Sequence, residues 1–254
     1  MTVRQKASRT AVVTGGSRGA GLAIARKLCG AGDDVTLVYG HSSGDAKLAL
    51  DELAPLPGTA RAVKADLTRV GAVEAVLDGV RERAGRLDVF VHSAASFHPG
   101  PAIGAQIDGV RADLALTVEP LLRGAPLIAE LMAGGPGRIV VVTSNGSRDV
   151  VNRYVSLGLA KAALESLVRY LAVELAPQGI TVNAVSTAKL DKGPDTAPAG
   201  PAAQLMEALA RRTPGGRLTR PEDVADVVSL LCHADAGWIQ GQVVTADGGL
   251  SLLA

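Results

Sequence analysis

A chain of 254 residues, 47% hydrophobic and 20% charged, is long enough to bury one large core or two small ones. Its formal charge of +1 excludes a general attraction to nucleic acid or an anionic membrane and leaves small ligands or locally recognised anions. Cys29 and Cys232 are too few and too far apart to staple a secreted chain or build a metal cluster, so a reducing cytoplasm is expected and no metal site is.

The opening MTVRQKASRT is basic but leads into only a short apolar run, which fits neither a signal peptide nor a bilayer span. Beyond it, apolar runs of strand length alternate with helical stretches, the pattern of a parallel sheet covered on both faces. Strand 10–14 leads to a helix over 20–31, strand 34–39 to a helix over 44–54, and strand 60–64 to a helix over 69–84. Strand 87–91 precedes one long helix over 108–133, which Pro126 should kink, while Pro120 suits a helix start. After strand 138–143, the sequon Asn145-Gly146-Ser147 reads as a turn, and a helix over 151–176 comes before strand 180–185. The Pro-, Gly- and Ala-rich AKLDKGPDTAPAGPAAQ (188–204) breaks this rhythm, but strands resume in the same style. It therefore reads as a flap over a ligand site, reaching to about residue 212, and not as a domain linker. TRPE (219–222) has the Thr-x-x-Glu pattern of a capping box for a helix over 221–233, ahead of a last strand at 242–246.

The first chemical signal is VVTGGSRGAGLAIA (12–25), a strand running through glycines into a helix. Gly15, Gly19 and Gly21 permit a tight turn and a close backbone approach, and the helix start around Ser17 to Ala20 offers unpaired N–H groups to a pyrophosphate. This is the outline of a dinucleotide site, so the chain is expected to be one α/β domain over 1–254 with a Rossmann fold, a seven-stranded parallel sheet flanked by helices. The same residues also satisfy Gly-x-Ser-x-Gly, the nucleophile elbow of hydrolases. An elbow serine needs a sheet already built around it, and only one strand precedes Ser17.

Charge then points to the cofactor. NAD binding places an acid about twenty residues past the glycines, whereas here that place reads YGHSSG (39–44), with His41 and Ser42 and no carboxylate. Arg18 in the glycine loop can grip a 2′-phosphate with its planar fork, so NADPH is favoured.

YVSLGLAKAALES (154–166) carries Tyr154 and Lys161 seven positions apart, about 10.5 Å along a helix and on one face, so both can line one cleft. Leu157, one turn nearer the lysine, brings no proton. A carbonyl reductase adds hydride and proton to adjacent atoms. Reduction of an α,β-unsaturated thioester instead puts hydride on Cβ and collects charge on an oxygen three bonds away, so an acid set one turn farther out hints at conjugate reduction.

TGGSRGAG, the RIVVVTS strand, KAALESLVRYLAVELAPQGITVNAVS and the closing VVTADGG resemble the short-chain dehydrogenase/reductase family over nearly the whole chain. Within it, the Tyr-x6-Lys spacing and the DGGLSLL ending look most like the NADPH-dependent enoyl-acyl-carrier-protein reductase III branch. The resemblance implies a cytoplasmic homo-oligomer, a tetramer or dimer, that reduces a trans-2-enoyl thioester on acyl carrier protein or a polyketide-like acyl substrate. Tyr154 would bond the thioester oxygen, Lys161 the nicotinamide ribose, and Ser144 would orient Tyr154 or the substrate. Asp66 and Leu67 match the adenine-contacting pair, Ser93 and Ala94 the loop beside the ribose, and Leu190 the flap near the nicotinamide. A keto-thioester reductase and a non-catalytic NADP-binding regulator remain the alternatives.

The chain also departs from the family pattern. Asn-Asn-Ala-Gly is replaced by HSAA (92–95), the helix asparagine of the proton relay by Thr117, and the Pro-Gly after the sixth strand by Thr187-Ala188. His92 is expected as a hydrogen-bonded core residue, His98 as an exposed loop residue, and Trp238 as packing.

Overall fold

The computed structural model describes residues 8–191, 193 and 200–253. Seven strands, β1 (Thr10–Thr14), β2 (Asp34–Tyr39), β3 (Thr59–Lys64), β4 (Val89–His92), β5 (Arg138–Ser144), β6 (Thr181–Thr187) and β7 (Val243–Ala246), pair in the order β3-β2-β1-β4-β5-β6-β7. Every pairing is parallel. The apolar runs follow from that: β1, β4, β5 and β6 are covered on both faces, so neighbouring residues such as Val12 and Val13 point into different cores. One core packs Val12, Phe90, Ile139 and Val182 under α3 (Ala72–Ala84), α5 (Glu119–Met132) and α6 (Val155–Leu175). The other packs Val13, Leu37, Val91 and Val140 under α1 (Gly19–Gly30), α2 (Ser43–Leu53) and α8 (Pro221–Leu231).

The chain winds outward from β1 to β3 and then returns to lay β4 on the other side of β1. The loops after β1 and β4 therefore leave the sheet in opposite directions and open a crevice at its carboxyl end, where ligands of such sheets bind.

Several expected boundaries move. The single helix expected over 108–133 is two, α4 (Ile107–Thr117) and α5, which meet at Val118. Pro120 sits in the first turn of α5, which continues through Pro126. Pro126 lies on the exposed side, where water can take the carbonyl its missing N–H leaves free, so the interruption falls at Val118 and not at the proline. The helix expected from 151 begins only at Val155, because Arg153 adopts φ 57, a left-handed conformation that cannot continue a right-handed helix.

The expected flap is partly ordered. Residues 192 and 194–199 lie outside the described residues, but Pro201–Arg212 form a further helix, α7, begun by a proline whose missing N–H costs nothing in a first turn. In front of α8 the cap is Arg220, whose N–H donates to the Asp223 carboxylate at 2.7 Å; the Thr219 hydroxyl donates to Ala246 O instead. Trp238, expected to pack, is 99% exposed. No helix among the described residues is long and apolar enough to cross a membrane.

Candidate active site

The glycine loop fills the crevice between β1 and β4 with backbone. Gly15 and Gly19 have φ of 67 and 55, which side chains rarely tolerate. A Cβ on Gly21 would stand 2.1 Å from Gly15 O, and one on Gly15 would stand 3.0 Å from Ala94 N, so the loop is folded against the start of α1 and against Ser93 and Ala94. Arg18 caps α1 in extended conformation and lends it no side-chain bond, which leaves the first N–H groups beside Ser17, Gly19 and Ala20 unspent by a cap. A pyrophosphate fits this cradle, since it needs close backbone and free donors.

One buried network locks the crevice floor. The Thr14 hydroxyl accepts from Ser93 N at 3.1 Å and Ala94 N at 3.2 Å, so both its lone pairs are used and its proton goes to His92 Nδ1 at 2.8 Å. His92 is thereby the Nε2–H tautomer, donating to Thr117 O at 3.0 Å. Burial pushes its pKa down to about 4, with the nearby Lys161 charge acting in the same direction, so it is a neutral core residue.

At the outer end of the cleft, Arg18 and His41 are exposed, and Ser42 Oγ caps α2 by accepting from Asp45 N at 3.1 Å. Asp66 is exposed; its Oδ1 accepts from the N–H and hydroxyl of Thr68, which holds the carboxyl pKa down, while the Leu67 side chain belongs to the core. Leu190 bridges to Thr219 and packs on the second core, anchoring the near end of the flap segment. Thr187 lies beside Ser144 in the β5–β6 register, and its hydroxyl is buried without a partner among the described residues. An unpaired buried polar atom at the carboxyl end of the sheet suits a polar ligand group such as a carboxamide.

At the inner end stand Ser144, Tyr154 and Lys161. Ser144 ends β5; its Oγ accepts from Gly146 N at 3.2 Å, donates to Asn145 Oδ1 at 3.4 Å and lies near enough to the Tyr154 phenol to pull its pKa down. Tyr154 is the N-cap of α6, its ring laid over Gly146, where a Cβ would come within 2.5 Å. Burial raises the phenol pKa against the opposing pull of Ser144, so the group stays protonated and able to donate. Leu157 is buried one turn before Lys161. Lys161 is 4% exposed and donates to Val142 O at 2.7 Å. Its burial pushes the pKa down to about 8, while Asp113 and Glu165 pull the other way.

Two carboxylates brace this end. Glu165, one turn past Lys161, accepts from Thr143 Oγ1 at 2.9 Å, Ser147 Oγ at 2.5 Å and Arg148 Nε at 3.1 Å, tying the 144–148 segment to α6. Asp113 of α4 is fully buried and accepts from Ser96 Oγ at 2.7 Å, His98 Nδ1 at 2.8 Å, His98 N at 3.1 Å and Ser156 Oγ at 2.5 Å. His98 is the exposed loop residue expected, with half of its side chain exposed, but it is tethered to Asp113 through both Nδ1 and its backbone N–H.

A family model described as Enoyl-(Acyl carrier protein) reductase matches residues 15–251. The chain belongs to the short-chain dehydrogenase/reductase family. Among its relatives are 1-cyclohexenylcarbonyl-CoA reductase of Streptomyces collinus, 35% identical over 97% of this chain and 88% of the relative. Another is the hydroxynaphthalene reductase-like protein Arp2 of Metarhizium guizhouense, 31% identical over 98% of this chain and 97% of the relative. A solved short-chain dehydrogenase/reductase from Serratia marcescens superposes with a TM-score of 0.86 at 30% identity, covering 96% of this chain and 98% of that one. Members of the family use a nicotinamide cofactor, and the glycine cradle and the unpaired Thr187 hydroxyl of this reductase suit one.

The sequence reading missed Asp113, Glu165 and Phe97 in this reductase. Phe97 packs its ring on that of Tyr154 at 5.3 Å between centroids. For Asp113 a signal existed: it lies in RADLALT, four residues before Thr117 on one helix face, and a charge on a buried face must be paired.

Proposed function

We propose that this reductase uses NADPH to reduce the C=C bond of a trans-2-enoyl thioester. The observation that carries the reading is the place of the phenol: Tyr154 stands outside the first turn of α6, and the position one turn before Lys161 is filled by the buried Leu157. A donor set back from the lysine by a further turn suits an oxygen remote from the carbon that is reduced. The first relative named above supports it, since a cyclohexenylcarbonyl thioester carries a C=C conjugated with its carbonyl.

Arg18 and His41 at the outer cleft, with no acid at the end of β2, support NADPH over NADH. Bound in the crevice, this cofactor supplies a hydride. The glycine loop from Gly15 to Gly21 would hold its pyrophosphate, Asp66 and Leu67 its adenine end, and Lys161 with Ser93 and Ala94 its nicotinamide ribose. Leu190 would flank the nicotinamide. Tyr154, kept protonated by burial and oriented by Ser144, would donate to the thioester oxygen as enolate charge develops. The exposed apolar groups Leu159, Tyr170 and Val173 along α6, with Leu122 of α5, support assembly through these helices into a dimer or tetramer. An acyl carrier protein is the natural bearer of the substrate, and the free buried cysteines suit the cytoplasm.

A carbonyl substrate is the second reading, favoured by the Arp2-type relative and by the nearness of Ser144 to the Tyr154 phenol, two hydroxyls that one ketone oxygen could share. NADPH oxidation at 340 nm with crotonyl and acetoacetyl thioesters decides between them. Consumption with crotonyl thioester alone is expected; consumption with acetoacetyl thioester alone would overturn the C=C reading. Tyr154→Phe should lower kcat by roughly 10²–10⁴-fold and leave NADPH binding intact. Unchanged turnover would point to a regulator with no use for the phenol.

A further inference from the structure

Conjugate reduction adds one hydride and one proton. Tyr154 hydrogen-bonds the thioester oxygen and keeps its own proton, so the one proton consumed must reach Cα, two bonds from that oxygen, from another donor. The water route that the family resemblance implies has lost its asparagine here: Thr117 stands in its place, and one lone pair of the Thr117 carbonyl accepts from His92 Nε2–H.

Beside the cleft lies an acid–base pair that no step above uses. An ionised carboxylate only accepts, and Asp113 receives four donors, one of them His98 Nδ1–H. Its pKa is held down by those bonds against its burial, so the carboxylate is charged and Nδ1 keeps its proton. Nε2 is then the nitrogen left to exchange a proton, and it has no partner among the described residues. The pair is fixed to Tyr154 from two sides. Phe97, the residue before His98, packs on the Tyr154 ring at 5.3 Å, and Ser156, two residues after Tyr154, holds Asp113 Oδ2 at 2.5 Å. Gly109 closes over the imidazole: a Cβ there would stand 2.8 Å from His98 Cβ.

We propose that His98, oriented by Asp113, is a catalytic residue that protonates Cα of the substrate through Nε2. The inference rests on the C=C reading above. As a hydride forms the new bond at Cβ, the C=C π pair moves into an enolate whose oxygen Tyr154 holds. That pair then takes the Nε2 proton of the His98 imidazolium: the N–H bond breaks, the Cα–H bond forms, and a neutral imidazole remains with its Nδ1–H on Asp113. Solvent at the half-exposed ring restores the proton.

The test is reduction of crotonyl thioester by NADPH in D₂O with wild type, His98→Asn and His98→Gln. Asparagine places an amide N–H where Nδ1–H stands and so keeps the bond to Asp113, while deleting Nε2. A merely structural role survives that change. Wild type should place deuterium on one face of Cα; both variants should bind NADPH as wild type does, lose about 10²-fold in kcat, and scatter the label over both faces. Wild-type turnover with single-face labelling in His98→Asn overturns the proposal, as does loss of NADPH binding in both variants, which would make His98 structural. Failure of the C=C reading looks different: wild type itself then leaves crotonyl thioester unreduced and unlabelled while consuming NADPH with acetoacetyl thioester, and the proposal falls with it.

Discussion

Replacing Lys161 with methionine should stabilise the cofactor-free protein while ending turnover. The side chain is 4% exposed, and burial pushes its pKa from 10.5 to about 8 in spite of Asp113 and Glu165. Between those values the unfolded chain binds more protons than the folded one. Folding is therefore penalised in full below pH 8, progressively less above it, and not at all beyond 10.5. A depression of 10.5 − 8 = 2.5, at 1.36 kcal/mol per pK unit, amounts to about 3 kcal/mol at pH 7. Methionine removes that cost but leaves Val142 O without its donor, a loss of about 1–2 kcal/mol. The net gain of about 1–2 kcal/mol should raise Tm by roughly 3–6 °C in a chain of this size.

The pH dependence of the gap is the sharper observable, because every other titrating group is common to both proteins. By pH 9.5 wild type regains about 2 kcal/mol of the original 3, so the two stabilities, measured by urea unfolding at pH 7 and 9.5, should converge or cross. A gap that stays constant over that interval would refute a buried lysine with a depressed pKa. It would mean that the folded ammonium is solvated, and that the cleft is wetter than the exposure of Lys161 implies.

Other substitutions test other parts of the site. Gly21→Ala forces a Cβ to within 2.1 Å of the Gly15 carbonyl, so the loop must open and NADPH affinity, read by fluorescence titration, should fall at least about tenfold; unchanged affinity would remove the loop from the cofactor site. Arg18→Glu, at an exposed position, should cut kcat/KM for NADPH roughly 10–100-fold relative to NADH, and an unaltered ratio would show that this arginine does not touch the 2′-phosphate. Glu165→Leu strands the Thr143 hydroxyl, removes the acceptor of Arg148 Nε and leaves Ser147 only its bond to Ser144 O, and should cost about 2–4 kcal/mol in chemical unfolding; a neutral result would deny that this carboxylate fastens the 144–148 segment.

The parts of the fold that were legible in the sequence are those whose cause is local. Strands such as β1 and β5 are apolar on both faces because helices cover both, and the glycine loop is marked by residues that only a tight backbone approach requires. The interruption at Val118 is marked by Pro120, which suits a helix start and sits in the first turn of α5, although the apolar pattern by itself runs straight across it. Helix α7 hides in a Pro-, Gly- and Ala-rich stretch whose composition announces a loop, and Arg153 gives no hint of the left-handed turn that delays α6 until after Tyr154. That late start makes Tyr154 the N-cap of α6, whereas its distance from Lys161 is already written in their seven-residue spacing.

The Asp113 cluster carries the same lesson further. Its members, Ser96, His98, Asp113 and Ser156, come from a loop and two helices and meet only because α4 packs on α6. Taken singly, His98 is a polar loop residue and Asp113 an acid in an apolar helix, and neither predicts the other. Burial supplies the missing link. A carboxylate with no exposure survives as an anion only if its acceptor sites are filled, so the fold must deliver donors to it, and one of those donors is the imidazole beside Tyr154. The demand that keeps Asp113 charged in the core is thus the same one that fixes the tautomer of His98 and leaves Nε2 without a partner among the described residues.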